Sequence, residues 1–102
     1  MSVINLDYVL KDTEGEDIKD NGNPVTARQA IRRALMVDLR DKVTDPKEMI
    51  ECADLQAKLR TGSPDLTPEE LVLCKKWAGL AWGKLIYSEL VKVIDGKTTP
   101  LD

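Results

Sequence analysis

The stretch Asp65 to Gly96 reads DLTPEELVLCKKWAGLAWGKLIYSELVKVIDG, and its punctuation decides the fold. Thr67 is a good helix N-cap and Pro68 suits the first helical position. Glu69 and Glu70 then fall in the first turn, where the helix dipole is positive. From there to Ile94 apolar residues recur at helical spacing. Gly79 and Gly83 bracket Leu80-Ala81-Trp82, and each glycine costs about 1 kcal/mol relative to alanine inside a helix. The spacing predicts a break there, with a final helix from about Gly83 to Asp95 and Gly96 as its terminator. Leu71, Cys74, Ala78, Ala81 and Leu85 form one stripe, and Leu73, Trp77 and Leu80 a second. A helix apolar over so much of its girth is either central to its own core or shared with a partner. Leu73, Trp77, Leu80 and Trp82 are therefore the candidate protein-interface residues.

Two earlier segments carry the same kind of start signal. Asp45 caps a helix with Pro46 first and Glu48 third, and Thr61-Gly62-Ser63-Pro64 ends it. Its expected core face is Met49, Cys52 or Ala53, Leu55 or Gln56, and Leu59. Thr26, with Gln29 three residues on, makes a capping box for a helix whose apolar stripe is Ala27, Ala30, Ile31, Ala34, Leu35 and Leu39. The same helix carries Arg28, Arg32, Arg33 and Arg40, the candidate basic contact residues. Arg28 and Arg32 share one edge and Arg33 and Arg40 another, with Asp38 and Asp41 among them as local ion partners.

Toward the N-terminus the period changes. Ile4, Leu6, Tyr8 and Leu10 alternate with Asn5 and Asp7, the pattern of a half-buried strand. Asp12-Thr13-Glu14-Gly15 is a turn, Ile18 belongs to a short second strand, and Asp20-Asn21-Gly22-Asn23-Pro24 breaks the chain. The expected fold is α+β but mainly α: a short N-terminal β-hairpin packed on three or four helices. Residues 1–24 form the hairpin and 26–96 the helical part of one domain, with 97–102 a flexible tail.

Composition limits the chemistry. The chain has 102 residues, a size suited to one domain, and it has no histidine and no phenylalanine. Ser-His-Asp and Cys-His arrangements are excluded outright, and every Asp or Glu has a plain reading as cap, turn or solvated face. No enzyme, catalytic residue, cofactor or metal site is expected. An EF-hand loop with Gly22 at its sixth position would need ligands at Lys19 and Arg28, which defeats it. Neither GxxxxGK[ST] nor GxGxxG occurs, and no small-molecule substrate is expected. Cys52 and Cys74 read as buried thiols, with a disulfide or redox role as the alternative. No apolar run approaches membrane-spanning length and no leader is visible, so a cytoplasmic protein is expected. The net charge of −3 argues against wholesale attraction to nucleic acid.

The segments DTEGEDIKDNGNPVTARQAIRRAL (Asp12 to Leu35), DLTPEELVLCKKW (Asp65 to Trp77) and KLIYSELVKVID (Lys84 to Asp95) together resemble small uncharacterised proteins encoded by tailed bacteriophages and prophages. The resemblance implies a setting inside a bacterial host, in assembly or in binding host or phage factors. The expected function is a non-enzymatic interaction or assembly protein that associates with itself or with a protein partner. The alternative is a small nucleic-acid-binding or host-factor-binding regulator using the arginine-rich helix.

Overall fold

The computed structural model describes residues 4–37, 45–60, 62 and 64–96. Its elements are β1 (Lys19–Asp20), β2 (Asn23–Pro24), α1 (Ala27–Met36), α2 (Pro46–Lys58), α3 (Pro68–Ala81) and α4 (Lys84–Ile94). The fold is α+β and mainly α, with four helices and one small antiparallel hairpin. Three helix starts follow the capping chemistry of the sequence. The Thr26 hydroxyl accepts from the Gln29 amide, the Asp45 carboxylate from the Lys47 amide, and the Thr67 hydroxyl from the Glu70 amide. The fourth helix begins at Gly83, which offers no side-chain cap.

Helix α1 is the hub, packed against α2, α3 and α4. Its inward face is Ala27, Ala30, Ile31, Ala34 and Leu35, all buried. Three alanines on that face let the neighbouring helices approach closely, and Ile31 and Leu35 fill the spaces between them. The core also includes Cys52, Leu55 and Leu59 from α2 and its C-cap, Cys74, Trp77 and Ala78 from α3, and Leu90, Val93 and Ile94 from α4. Met49, expected on the core face of α2, instead lies 44% exposed. The inward stripe of α2 runs through Cys52, Leu55 and Leu59, and one turn earlier that direction falls on Glu48, which bonds Lys76 of α3.

The hairpin is not where the alternation placed it. Residues 4–10 form no strand, only an isolated bridge from Val9 to Thr26, and a second bridge joins Lys11 to Asp17. The hairpin lies inside the segment expected to break the chain: Lys19 pairs with Pro24 and Asp20 with Asn23. Its two-residue turn is Asn21-Gly22, both at positive φ (52° and 83°), the geometry that matches strand twist in a tight hairpin. The burial pattern of the arm still holds, with Ile4, Leu6 and Leu10 buried and Asn5 and Asp7 exposed.

What orders the arm is the start of α1. The first free amides of a helix need acceptors. Ala27 N–H donates to the Tyr8 carbonyl (2.8 Å) and Arg28 N–H to the Leu6 carbonyl (2.9 Å). Gln29 N–H donates to the Thr26 hydroxyl. Leu10, Ile18 and Val25 close the unit: Leu10 N–H donates to Val25, Ile18 N–H to Leu10, and Val25 N–H to Ile18, all within 2.9 Å. The acidic turn closes on itself, with the Asp12 carboxylate accepting from the Glu14 and Glu16 amides and Gly15 at φ 80°.

Candidate interaction surfaces

The four apolar candidates separate. Trp77 is 3% exposed and belongs to the core, so in this conformation it offers nothing to a partner. Its indole nitrogen has no hydrogen-bond partner among the described residues. Leu73 lies half-buried on the α2 side of α3. Leu80 and Trp82 sit at the elbow where α3 passes into α4, both partly buried. Trp82 is anchored there by its own indole N–H, which donates to the Ala30 carbonyl of α1 at 3.0 Å.

Of the exposed apolar residues at the elbow, Leu85 belongs to the stripe expected from the sequence and Tyr87 does not. Leu85 and Tyr87 are 40% and 36% exposed, beside the partly buried Leu80, Trp82 and Ile86. In the stretch Gly79 to Tyr87 only Lys84 carries a charge. Gly79 lies close under the Tyr87 ring: a Cβ there would stand 3.3 Å from it, tight enough that the ring would have to shift by a few tenths of an ångström. Gly83, at φ −74° with open space around it, is not so constrained. Among the described residues the exposed large apolar side chains, Met36, Met49, Ile50, Val72, Leu85 and Tyr87, all lie on helices.

The basic candidates are largely engaged inside the molecule. Arg28 donates to the Asp7 carboxylate at 3.1 Å and to the Gly62 carbonyl. Arg32 donates to the Gln56 amide oxygen at 3.2 Å, and Arg33 pairs with Asp20 at 3.1 Å. The Nε atoms of Arg28 and Arg32 are buried without a partner. These three side chains tie α1 to the arm, the hairpin, α2 and the α2–α3 turn. Arg40, the fourth basic candidate, lies outside the described residues, as does Leu39.

Between α2 and α3 runs a half-open groove of about 440 Å³. Two ion pairs tie its helices: Lys76 to Glu48 at 2.7 Å and Lys58 to Glu70 at 2.9 Å. The pairs connect residues in reverse order, so the helices run antiparallel. The buried Leu55 and the partly buried Leu73 back it, and Glu51, Asp54, Glu69 and Glu70 face one ammonium, Lys58, with Thr67 beside them. Glu70 is spoken for: burial pushes its carboxyl up, but hydrogen bonds from Lys58 and Thr67 outweigh this and hold its pKa below the ordinary value. Glu51, Asp54 and Glu69 have no cation partner among the described residues.

Glu89 is the one buried charged residue in the described chain, at 4% exposure. It joins α4 to the arm, accepting from the Lys11 amide at 2.7 Å and the Tyr8 hydroxyl at 3.1 Å on Oε1. Lys92 bonds Oε2 at 3.0 Å. Burial pushes this carboxyl up, and the bonds from Lys11, Lys92 and Tyr8 together more than offset it, leaving the pKa lowered. Its signal in the sequence was a charge on the apolar stripe of Ile86, Leu90, Val93 and Ile94.

Cys52 and Cys74 are free and buried. Burial, with Glu48 and Glu51 nearby, pushes the Cys52 thiol up to about 11, and burial, Glu70 and Cys52 push Cys74 to about 12. Both stay protonated at neutral pH and are poor nucleophiles. Among the described residues no group of three His, Cys, Asp or Glu is placed to hold a metal ion, and no helix is long and apolar enough to cross a membrane. No protein-family model matches the chain, no curated protein matches it, and no solved structure matches it.

Proposed function

We propose that this chain is a non-enzymatic interaction protein that associates through its α3–α4 elbow. The observation that carries this reading is the exposure of Leu85 and Tyr87 at the elbow, in a stretch from Gly79 to Tyr87 whose one charged residue is Lys84 and whose Leu80, Trp82 and Ile86 are partly buried. A surface with so little charge can face a copy of itself without like-charge repulsion, so the first partner is a second copy. Trp82, held by its bond to Ala30, presents a fixed aromatic edge at modest entropic cost. The resemblance to small phage and prophage proteins supports an assembly role of this kind in the cytoplasm of a bacterial host. The arginines of α1 support it over the nucleic-acid alternative, because Arg28, Arg32 and Arg33 are occupied by internal bonds.

Sedimentation equilibrium over a wide concentration range tests the proposal. The wild type should rise above the 11.4 kDa monomer mass as concentration increases. Leu85→Glu should remain monomeric at every concentration while keeping its helical circular dichroism. A wild type that stays monomeric throughout, or a Leu85→Glu protein that associates equally well, sinks the reading.

A further inference from the structure

The turn between β1 and β2 holds a reactive pair of residues. An asparagine side chain can be attacked by the backbone nitrogen of the next residue when that nitrogen is unhindered and free to lose its proton. The chain has three asparagines, Asn5, Asn21 and Asn23, and only Asn21 meets both conditions. Asn5 precedes Leu6, which is 1% exposed and whose N–H donates to the Ile4 carbonyl at 3.0 Å. Asn23 precedes Pro24, which has no N–H to lose. Asn21 precedes Gly22, and both are exposed. The Gly22 N–H makes no hydrogen bond among the described residues, and nothing lies within 4 Å of where a Cβ on Gly22 would stand. Gly96, which follows Asp95, is the contrast: its N–H donates to the Val93 carbonyl at 3.0 Å.

We infer that Asn21 is a site of spontaneous deamidation, and that its conversion undoes the β1–β2 hairpin. The Gly22 nitrogen gives its proton to solvent base and attacks Asn21 Cγ. The new N–C bond closes a five-membered imide, and the side-chain nitrogen takes up a proton and leaves as ammonia. One water then opens the ring. Opening at Cγ gives aspartate, whereas opening at the Asn21 backbone carbonyl routes the chain through Cβ and Cγ. The second product, isoaspartate, adds one atom to the backbone. A two-residue turn has no room for it while Lys19 faces Pro24 and Asp20 faces Asn23. Either product also adds a carboxylate next to Asp20, whose own is paired with Arg33 at 3.1 Å. Both strands are exposed, so the change stays in the hairpin and spares the helical core. The elbow has no part in this chemistry.

The test incubates the whole protein at 37 °C in neutral and in mildly alkaline buffer. Its tryptic peptide from Asp20 to Arg28 is followed by mass spectrometry beside the same peptide made synthetically. Conversion should fall on Asn21 alone and quicken with pH. It should run within about tenfold of the synthetic peptide, since an exposed turn opens at little free-energy cost. Isoaspartyl methyltransferase should label the aged protein, and Asn21→Gln should not acquire the label. Amide shifts of the aged protein should move from Lys19 to Val25 and at Arg33, with the other helical signals in place. Three results overturn the inference: conversion at Asn5 or Asn23, conversion more than about a hundredfold slower than in the peptide, or an aged protein with unmoved hairpin shifts. The first removes the site, the second shows that the fold protects it, and the third removes its effect on the hairpin.

Discussion

Arg28, Arg32 and Arg33 of α1 and Glu51, Asp54 and Glu69 beside the α2–α3 groove are both sets of charged helical residues, but only the arginines are tied in. Arg28, Arg32 and Arg33 each reach a partner on another segment, and Glu89 on α4 gathers three donors. Glu51, Asp54 and Glu69 reach none among the described residues. The difference separates charge that holds the fold from charge left for something outside it. Removing a tied group should cost stability, and removing a free one should not. Stability measurements on single variants therefore test which class each residue belongs to.

The largest effect belongs to Glu89. Replacing it by alanine removes this acceptor from the Lys11 amide and the Tyr8 hydroxyl, and a hydrogen bond to a charged group contributes about 1.5–3 kcal/mol. We expect Glu89→Ala to lose about 2–4 kcal/mol in urea unfolding, a large share of the 5–15 kcal/mol typical of a small domain. The carboxyl also sets a pH dependence. Its folded pKa lies below the ordinary 4.5. It therefore contributes stability above that value, and the contribution drains away as pH falls toward the folded value. Wild type should lose stability more steeply than Glu89→Gln on acidification below pH 4.5. Parallel curves would show that folding leaves the acidity of Glu89 unchanged, and a wild type that falls less steeply would show that its carboxyl is raised instead.

Within α1 the ties should grade with burial. The Arg28 side chain is 21% exposed and joins Asp7 and the Gly62 carbonyl, whereas Arg33 is 55% exposed against an Asp20 that is 48% exposed. Arg28→Ala should cost about 1–2 kcal/mol, and Arg33→Ala below about 0.5 kcal/mol, since exposed ion pairs contribute little. Equal losses at the two positions would mean that burial does not set the worth of these bonds.

This grading also marks what the sequence could convey. The capping residues Thr26, Asp45 and Thr67 located three helix starts, and Gly79 with Gly83 located the elbow, because caps and glycines act within a turn of their own position. The arm was misread because its order comes from α1, seventeen or more residues away: the Tyr8 and Leu6 carbonyls serve helix amides instead of a strand ladder. Asn21-Gly22 was legible as a hairpin turn but was passed over as a breaker, since the flanking residues lack the apolar alternation of a strand. Trp77 could not be assigned to core or surface from an α3 that is apolar on most sides; only the position of α1 decides it. The groove was beyond reach for the same reason. Glu51 and Asp54 look like ordinary solvated residues of α2 until α3 is seen to lie opposite.

The smallest effect is the most discriminating one. Glu51 and Asp54 lie on successive turns of one helix, so their like charges repel weakly. Glu51 is the sixth residue of α2, beyond the first turn where the helix dipole would favour an acid. Lys76, the ammonium that reaches α2 from α3, is bonded to Glu48. Neither charge has an ion partner among the described residues, so Glu51→Gln with Asp54→Asn should leave stability within about 0.5 kcal/mol of wild type. A loss above about 1 kcal/mol would mean that these carboxylates serve the fold as the arginines do.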